Sequence, residues 1–236
     1  MEMAARMSGW TMEIFYETPE FKFPALSRRG TGAGRKVYLS AGIHGDEPAG
    51  PMAALRLLQE NEWPVDLDLW FCPCLNPIGF LSNSRFNAGG IDLNRGYLNP
   101  VADEVLAHIA WLEQQPAFDL CLLMHEDWES HGFYLYEQNP DGRPSFAEQM
   151  IGAVETVCPI DRSDLIDGRP ASGGILRPNV DPRTRPDWPE ALYLVSHKAR
   201  QTYTLEAPSD FPIATRVNAL TTAVNTALKA IAASDV

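Results

Sequence analysis

The strongest constraint on the fold is an alternation of two patterns. Four apolar runs rich in β-branched and aromatic residues, KVYLSAGI (36–43), LDLWFCPCLN (67–76), FDLCLLMHE (118–126) and RQTYTLEA (200–207), each end at polar residues. Runs of that length and makeup predict buried strands. Among them lie PAGPMAALRLLQEN (48–61), VADEVLAHIAWLEQQ (101–115) and SFAEQMIGAVETVC (145–158), whose apolar residues recur at intervals of three and four. That spacing predicts amphipathic helices. Residues 214–233 predict a longer one, with Val217, Leu220, Val224, Leu228 and Ile231 on one stripe. Strands alternating with helices predict an α/β fold with parallel strands. A chain of 236 residues that is 45% hydrophobic can bury one substantial core, so a single domain over 1–236 is expected, with 1–30 as an N-terminal extension or additional strands. Residues 168–190 are rich in proline and glycine and lack periodicity. They predict a long irregular loop, either a lid or a surface excursion.

Composition narrows the partners. The formal net charge is −12, from 31 acidic and 19 basic residues, which repels nucleic-acid backbones and anionic lipid, so neither is expected as a partner. No run approaches the ~18 apolar residues of a membrane helix, and the first 30 residues contain no signal-peptide core. Cys72, Cys74, Cys121 and Cys158 form no paired framework. A reducing, cytoplasmic setting is expected, with Cys72 and Cys74 read as buried strand thiols rather than half of a metal site. Oligomeric state has no signature.

The polar residues fall at strand ends. His44 and Glu47 follow the first strand, Asn76 ends the second, His125 the third and Glu206 the last. Ligands of open α/β sheets bind beyond the carboxyl ends of the strands, so residues far apart in sequence can meet there. Gly42 and Gly45 allow the turn carrying His44 and Glu47 to fold tightly. Two imidazoles and a carboxylate form a three-ligand set that leaves one zinc position open for water. Each residue has a simpler reading by itself: His44 as a hydrogen-bonded surface histidine, Glu47 as a charge at a helix N-terminus. In NPIGFLSNSRFNAGGIDLNRGY (76–97), Arg85 and Arg95 sit among asparagines and glycines. Guanidinium forks there suit a carboxylate or a developing oxyanion, the alternative for Arg95 being a salt bridge to Asp92.

GIHGDEPAG, NPIGF…SRFNAGGIDLNR, MHE and TLEAP, in that order, resemble the zinc carboxypeptidases of the carboxypeptidase A type. That superfamily also holds the succinylglutamate desuccinylase/aspartoacylase branch and the bacterial murein peptide amidases. The resemblance spans roughly residues 36–210. It implies a three-layer α/β/α domain about a mixed, mostly parallel sheet, and one Zn2+ per chain held by His44, Glu47 and His125. It further implies oxyanion stabilisation by Arg85, a substrate carboxylate held by Asn94 and Arg95, and Glu206 as general base and acid. The expected reaction is hydrolysis of an amide bond beside a free carboxylate in a small peptide or peptide-like substrate. N-acyl amino acid deacylation is the alternative, and an inactive metal-binding regulatory protein a third. The chain ends in a helix soon after Glu206, whereas desuccinylase and aspartoacylase relatives usually append a β-rich domain, which favours the peptidase expectation. The family's mobile substrate-capping tyrosine has no counterpart in 168–190. Tyr193 and Tyr203 are nearby, and packing is the favoured role for each. The acid-rich segment 125–137, with Asp46 and Glu126, is read as support for the third metal ligand, ahead of shaping the pocket or holding a second metal.

Overall fold

The computed structural model describes residues 2–31, 34–178 and 181–234. The chain runs α1 (Glu2–Met7), β1 (Thr11–Glu17), β2 (Lys22–Arg28), β3 (Lys36–Ala41), α2 (Ala49–Glu60), β4 (Asp68–Cys72), α3 (Pro77–Ser82), α4 (Asp103–Gln114), β5 (Leu120–Asp127) and β6 (Tyr134–Gln138). It continues through α5 (Ala147–Val154), β7 (Leu165–Ile166), β8 (Arg169–Pro170), β9 (Ile175–Leu176), α6 (Glu190–His197), β10 (Thr202–Pro208) and α7 (Ile213–Ala232). One sheet carries eight strands in the order β1, β2, β4, β3, β5, β10, β6, β9. Its centre, β4, β3, β5 and β10, is parallel. Antiparallel strands flank that centre, β2 with β1 on one side and β6 on the other, and β9 closes the edge parallel to β6.

The central strands are apolar on both faces because helices cover both. Along β5, Leu120, Leu122 and Met124 join the core built with α2, α5 and α7, while Cys121 and Leu123 join the core built with α4 and α6. The result is three α/β/α layers, as the motif resemblance implies. Val217, Leu220, Val224, Leu228 and Ile231 of α7 all lie in the first of these cores, so the stripe read from spacing is the packed face.

Several elements depart from the sequence reading. The run 67–76 is strand only to Cys72; Pro73 starts a turn, and Asn76 caps α3, its side chain accepting from the Gly79 N–H at 2.9 Å. The helix expected over 145–158 contracts to Ala147–Val154. Residues 168–190 are not irregular throughout. β7 and β8 form a hairpin whose tip residues, Asp167 and Gly168, both have positive φ (49° and 64°), the geometry of a two-residue primed turn. β9 then joins the main sheet, and the segment ends at α6. Strand β6 and helices α3 and α6 were not anticipated.

A polar chain crosses the layer between α4 and the sheet. Tyr97 Oη donates to His108 Nδ1 (2.7 Å), His108 Nε2 donates to Tyr38 Oη (2.9 Å), and Tyr38 Oη donates to Glu190 Oε1 (2.8 Å). Ser40 Oγ donates to the other Glu190 oxygen at 2.9 Å. Every proton in this chain points toward the carboxylate, which requires a neutral imidazole. Burial holds His108 down to about 3.

Two outcomes follow from these interiors. Leu122 is fully buried in a central strand, and Leu122→Ala should cost about 2–5 kcal/mol in urea unfolding. Because the folded pKa of His108 lies below its usual 6.5, its contribution is present above that value and is lost as pH falls toward about 3. The slope of unfolding free energy against pH in that window should be smaller in His108→Gln than in the wild type.

Candidate metal centre and active-site cavity

Three buried side chains meet at the carboxyl ends of β3 and β5. His44 and Glu47 stand on the turn between β3 and α2, and His125 lies in the C-terminal part of β5. The turn is tight enough that two glycines are required. Gly42 has φ +64°, and a Cβ on Gly45 would lie 1.9 Å from the Gly79 carbonyl carbon. Glu47 bridges both imidazoles: Oε1 lies 2.5 Å from His44 Nδ1, and Oε2 lies 2.9 Å from His125 Nδ1. One ligand atom from each of the three residues lies within 4.8 Å of the others, the one such group of metal-capable side chains among the described residues. Neither Cys72 nor Cys74 belongs to it; both are free thiols.

The next shell of contacts orients these atoms. Asp92 Oδ1 sits 3.2 Å from His44 Nε2, so that nitrogen donates outward and Nδ1 keeps its lone pair for a metal. The Glu126 backbone N–H donates to Glu47 Oε2 at 3.1 Å, while its carboxylate accepts from the Ala49 N–H and from Arg216. These contacts support Glu47 and the start of α2 rather than His125, the ligand whose support was expected of Glu126. Burial alone would lower both imidazoles, but Asp92 and Glu47 raise His44, and Glu47 raises His125. Burial would raise Glu47, yet His125 and His44 bring it down to about 2. The donor set is therefore a preorganised anion with two oriented imidazoles, and it fits a dication.

The remaining sequence candidates surround this point. Arg85 donates through Nε to Asp92 Oδ2 at 2.9 Å, which places its Nη1 3.7 Å from Glu47 Oε1, over the metal-capable atoms. Asn94 is buried, and its Oδ1 accepts from the Glu190 N–H at 2.8 Å. That bond orients the amide so that its NH₂ is the donor left for the cavity. Arg95 does not pair with Asp92, which engages Arg85 and His44 instead. Its Nε lies 3.7 Å from Asp187, and half its side chain is exposed. Glu206 is the register neighbour of His125 on the adjacent strand. Burial raises its carboxyl to about 8; His125 opposes this, while Glu47, Asp127 and Asp167 add to it. A bound dication would favour the ionised form. All seven residues line one cavity of about 510 Å³, the size of a small-molecule site.

Sequence reasoning missed Asp92 and Glu190 here, and reached Tyr134 and Tyr136 only as members of the segment 125–137. Asp92 was considered only as a partner for Arg95. Glu190 resembles an ordinary first-turn acid until Asn94 and Tyr38 are seen to converge on it. Tyr134 and Tyr136 line the cavity and donate to Asp127 (3.0 Å) and Asp167 (2.6 Å); the Tyr-Leu-Tyr alternation was the available signal. Tyr193 and Tyr203 are both buried in cores, the packing role favoured for them.

Residues 33–155 match the succinylglutamate desuccinylase/aspartoacylase catalytic domain. The chain belongs to that family. No curated protein matches the sequence. Among solved structures, a candidate metallopeptidase from Shewanella amazonensis superposes with TM-score 0.85 at 27% identity, covering 99% of this chain and 91% of its own. A similar candidate from Shewanella baltica gives 0.85 at 26%, with 98% and 90% covered. A metallo-carboxypeptidase from Burkholderia cenocepacia shares the fold at TM-score 0.71 and 18% identity, covering 97% of this chain and 66% of its own. These relatives support a metal-dependent hydrolase acting on a small substrate. No helix among the described residues is long and apolar enough to cross a membrane.

The geometry makes the metal site testable without any substrate. His125→Ala should abolish metal retention after dialysis, measured by elemental analysis. Asp92→Asn should weaken metal affinity by roughly 10–100-fold in a competitive chelator titration, because only the orientation of His44 is lost.

Proposed function

We propose that the protein is a zinc-dependent metallocarboxypeptidase that hydrolyses an amide bond next to a free carboxylate in a peptide or peptide-like substrate. One observation carries the reading: the three metal-capable ligands, Arg85, Asn94, Arg95 and Glu206 all face a single cavity. Zinc held by His44, Glu47 and His125 would supply Lewis acidity, polarising the scissile carbonyl and acidifying a water. The protein's own residues account for the rest. Glu206 takes the proton of the attacking water and delivers it to the departing amine nitrogen. Arg85 donates to the carbonyl oxygen as charge grows there, already aimed by Asp92. Asn94, through its free NH₂, and Arg95 hold the carboxylate and so fix which bond lies over the metal.

A second reading, release of an acid from an N-acyl amino acid, draws support from the desuccinylase/aspartoacylase match. A panel of N-acylated dipeptides and simple N-acyl amino acids separates the two. Turnover confined to the N-acyl amino acids would favour the deacylase.

Glu206→Gln should keep one zinc per chain while lowering kcat by roughly 10²–10⁴-fold. Retained activity would remove Glu206 from its assigned role, and an inert wild type with bound metal would favour a regulatory metal-binding protein.

A further inference from the structure

Two segments that line the cavity are fastened to each other. The turn Leu93–Arg95 carries Asn94 and Arg95, and the stretch 187–190 leads into α6. The Tyr97 N–H donates to the Trp188 carbonyl at 3.1 Å, and Gly96 and Trp188 form a parallel bridge. The Glu190 N–H completes the seam by donating to Asn94 Oδ1 at 2.8 Å. A first-turn N–H has no partner inside its own helix, and Pro189, at the N-cap of α6, makes no side-chain capping bond. Asn94 supplies the missing acceptor from 96 positions away.

The start of α6 is held in turn by the side chain of the same glutamate. Glu190 is 1% exposed, and its two oxygens accept from Tyr38 Oη and Ser40 Oγ at 2.8 and 2.9 Å. Both hydroxyls belong to β3, the strand that runs into the turn bearing His44 and Glu47. One residue thus spans two parts of the site, its N–H on the Asn94 amide and its carboxyl on the strand behind the metal-capable turn. Burial pushes that carboxyl up to about 7 in spite of its two donors. An apolar anchor for α6 would avoid this desolvation. Glu190 does not itself line the cavity, so any effect on substrate passes through Asn94.

We infer that Glu190 is a positioning residue for the substrate carboxylate: it sets where the Asn94 amide stands relative to the turn bearing His44 and Glu47, and so which bond of the substrate reaches the metal site. The inference rests on the carboxypeptidase reading, in which Asn94 holds that carboxylate. A displaced amide weakens the grip on ground state and transition state alike, which raises KM and leaves kcat in place.

The test uses the zinc-loaded full chain with Nα-acetyl-alanyl-alanine and its C-terminal carboxamide. Glu190→Ala should raise KM for the free acid roughly tenfold, the worth of one hydrogen bond to a charged group. Its kcat should stay within about threefold of the wild type, with zinc retained. For the carboxamide, kcat/KM should stay at the wild-type level, so the preference for the free acid falls. Glu190→Gln should keep the wild-type constants, because its carbonyl still accepts from Tyr38 and its NH₂ donates to Ser40 Oγ. In an Asn94→Ala background, Glu190→Ala should add nothing further to KM, since residues that act as a unit are not additive. An unchanged KM in Glu190→Ala, equal losses on both substrates, or effects that add to those of Asn94→Ala would each overturn the inference, assign Glu190 to fold stability, and leave the carboxypeptidase reading standing. A Gln variant as impaired as the Ala variant would overturn it too. If Glu190→Ala does not fold, Ser40→Ala removes one of the two donors and carries the same comparisons, with a smaller rise in KM expected and an unchanged KM overturning the inference. If the wild type cleaves neither substrate, the carboxypeptidase reading fails separately, and calorimetric binding of Nα-acetyl-alanine against its carboxamide decides the role of Glu190. Tighter binding of the acid by the wild type, lost in Glu190→Ala and kept in Glu190→Gln, sustains it; equal binding by wild type and Ala variant, or binding by neither, ends it.

Discussion

Everything at this site depends on the Glu47 carboxylate reaching two imidazoles at once. His44 belongs to the same turn, but His125 lies 78 residues further on, at the end of another strand. The bridge therefore requires β3 and β5 to be parallel neighbours in register, with their carboxyl ends at one edge. It also requires a close approach of backbone at Gly45, where a methyl group would collide with α3. Ion pairing in a buried setting is costly unless remaining lone pairs are met. Here the Glu126 N–H donates to Glu47, and Asp92 accepts the remaining N–H of His44.

The two cores on either side of the sheet divide the labour. The core under α2, α5 and α7 anchors the strands through apolar contacts, with Tyr203, Gln201 and Glu137 as a buried hydrogen-bonded cluster within it. The opposite layer contains the polar chain from Tyr97 through His108 and Tyr38 to Glu190, whose backbone N–H also fixes the amide of Asn94. The start of α6 is thereby tied both to the sheet and to Asn94, which lines the cavity. A buried network of this kind rigidifies what it connects when every member is satisfied. Asn94, which lines the cavity, is thus held by contacts that reach well away from the metal-capable residues.

The legible part of the fold was its periodicity. The four central strands and the helices α2, α4, α5 and α7 follow from apolar spacing, because burial on two faces or one stripe leaves a direct mark on residue order. Strand β6 left a weaker mark. Its Tyr134 and Tyr136 face a polar cavity, so the alternation reads as an acidic, aromatic segment rather than a strand. Helix α6 was hidden by the prolines before it, and the hairpin of β7 and β8 is too short to show a period. At the site, His44, Glu47, Arg85, Asn94, Arg95, His125 and Glu206 were all nominated from motifs, and the fold brings them to one cavity. Asp92 and Glu190 escaped because their importance lies in partners 48 and 96 positions away.

Sequence alone determined the α/β class, the family resemblance and the chemical identities of the donors, since these depend on residue type and local spacing. Tertiary structure decided what each donor does. It gave Asp92 to His44 and Arg85 rather than to Arg95, and it turned the Asn94 amide toward the cavity. Those outcomes depend on strand register and on which face of the sheet a side chain occupies, and a register is a relation between distant segments that no local pattern encodes.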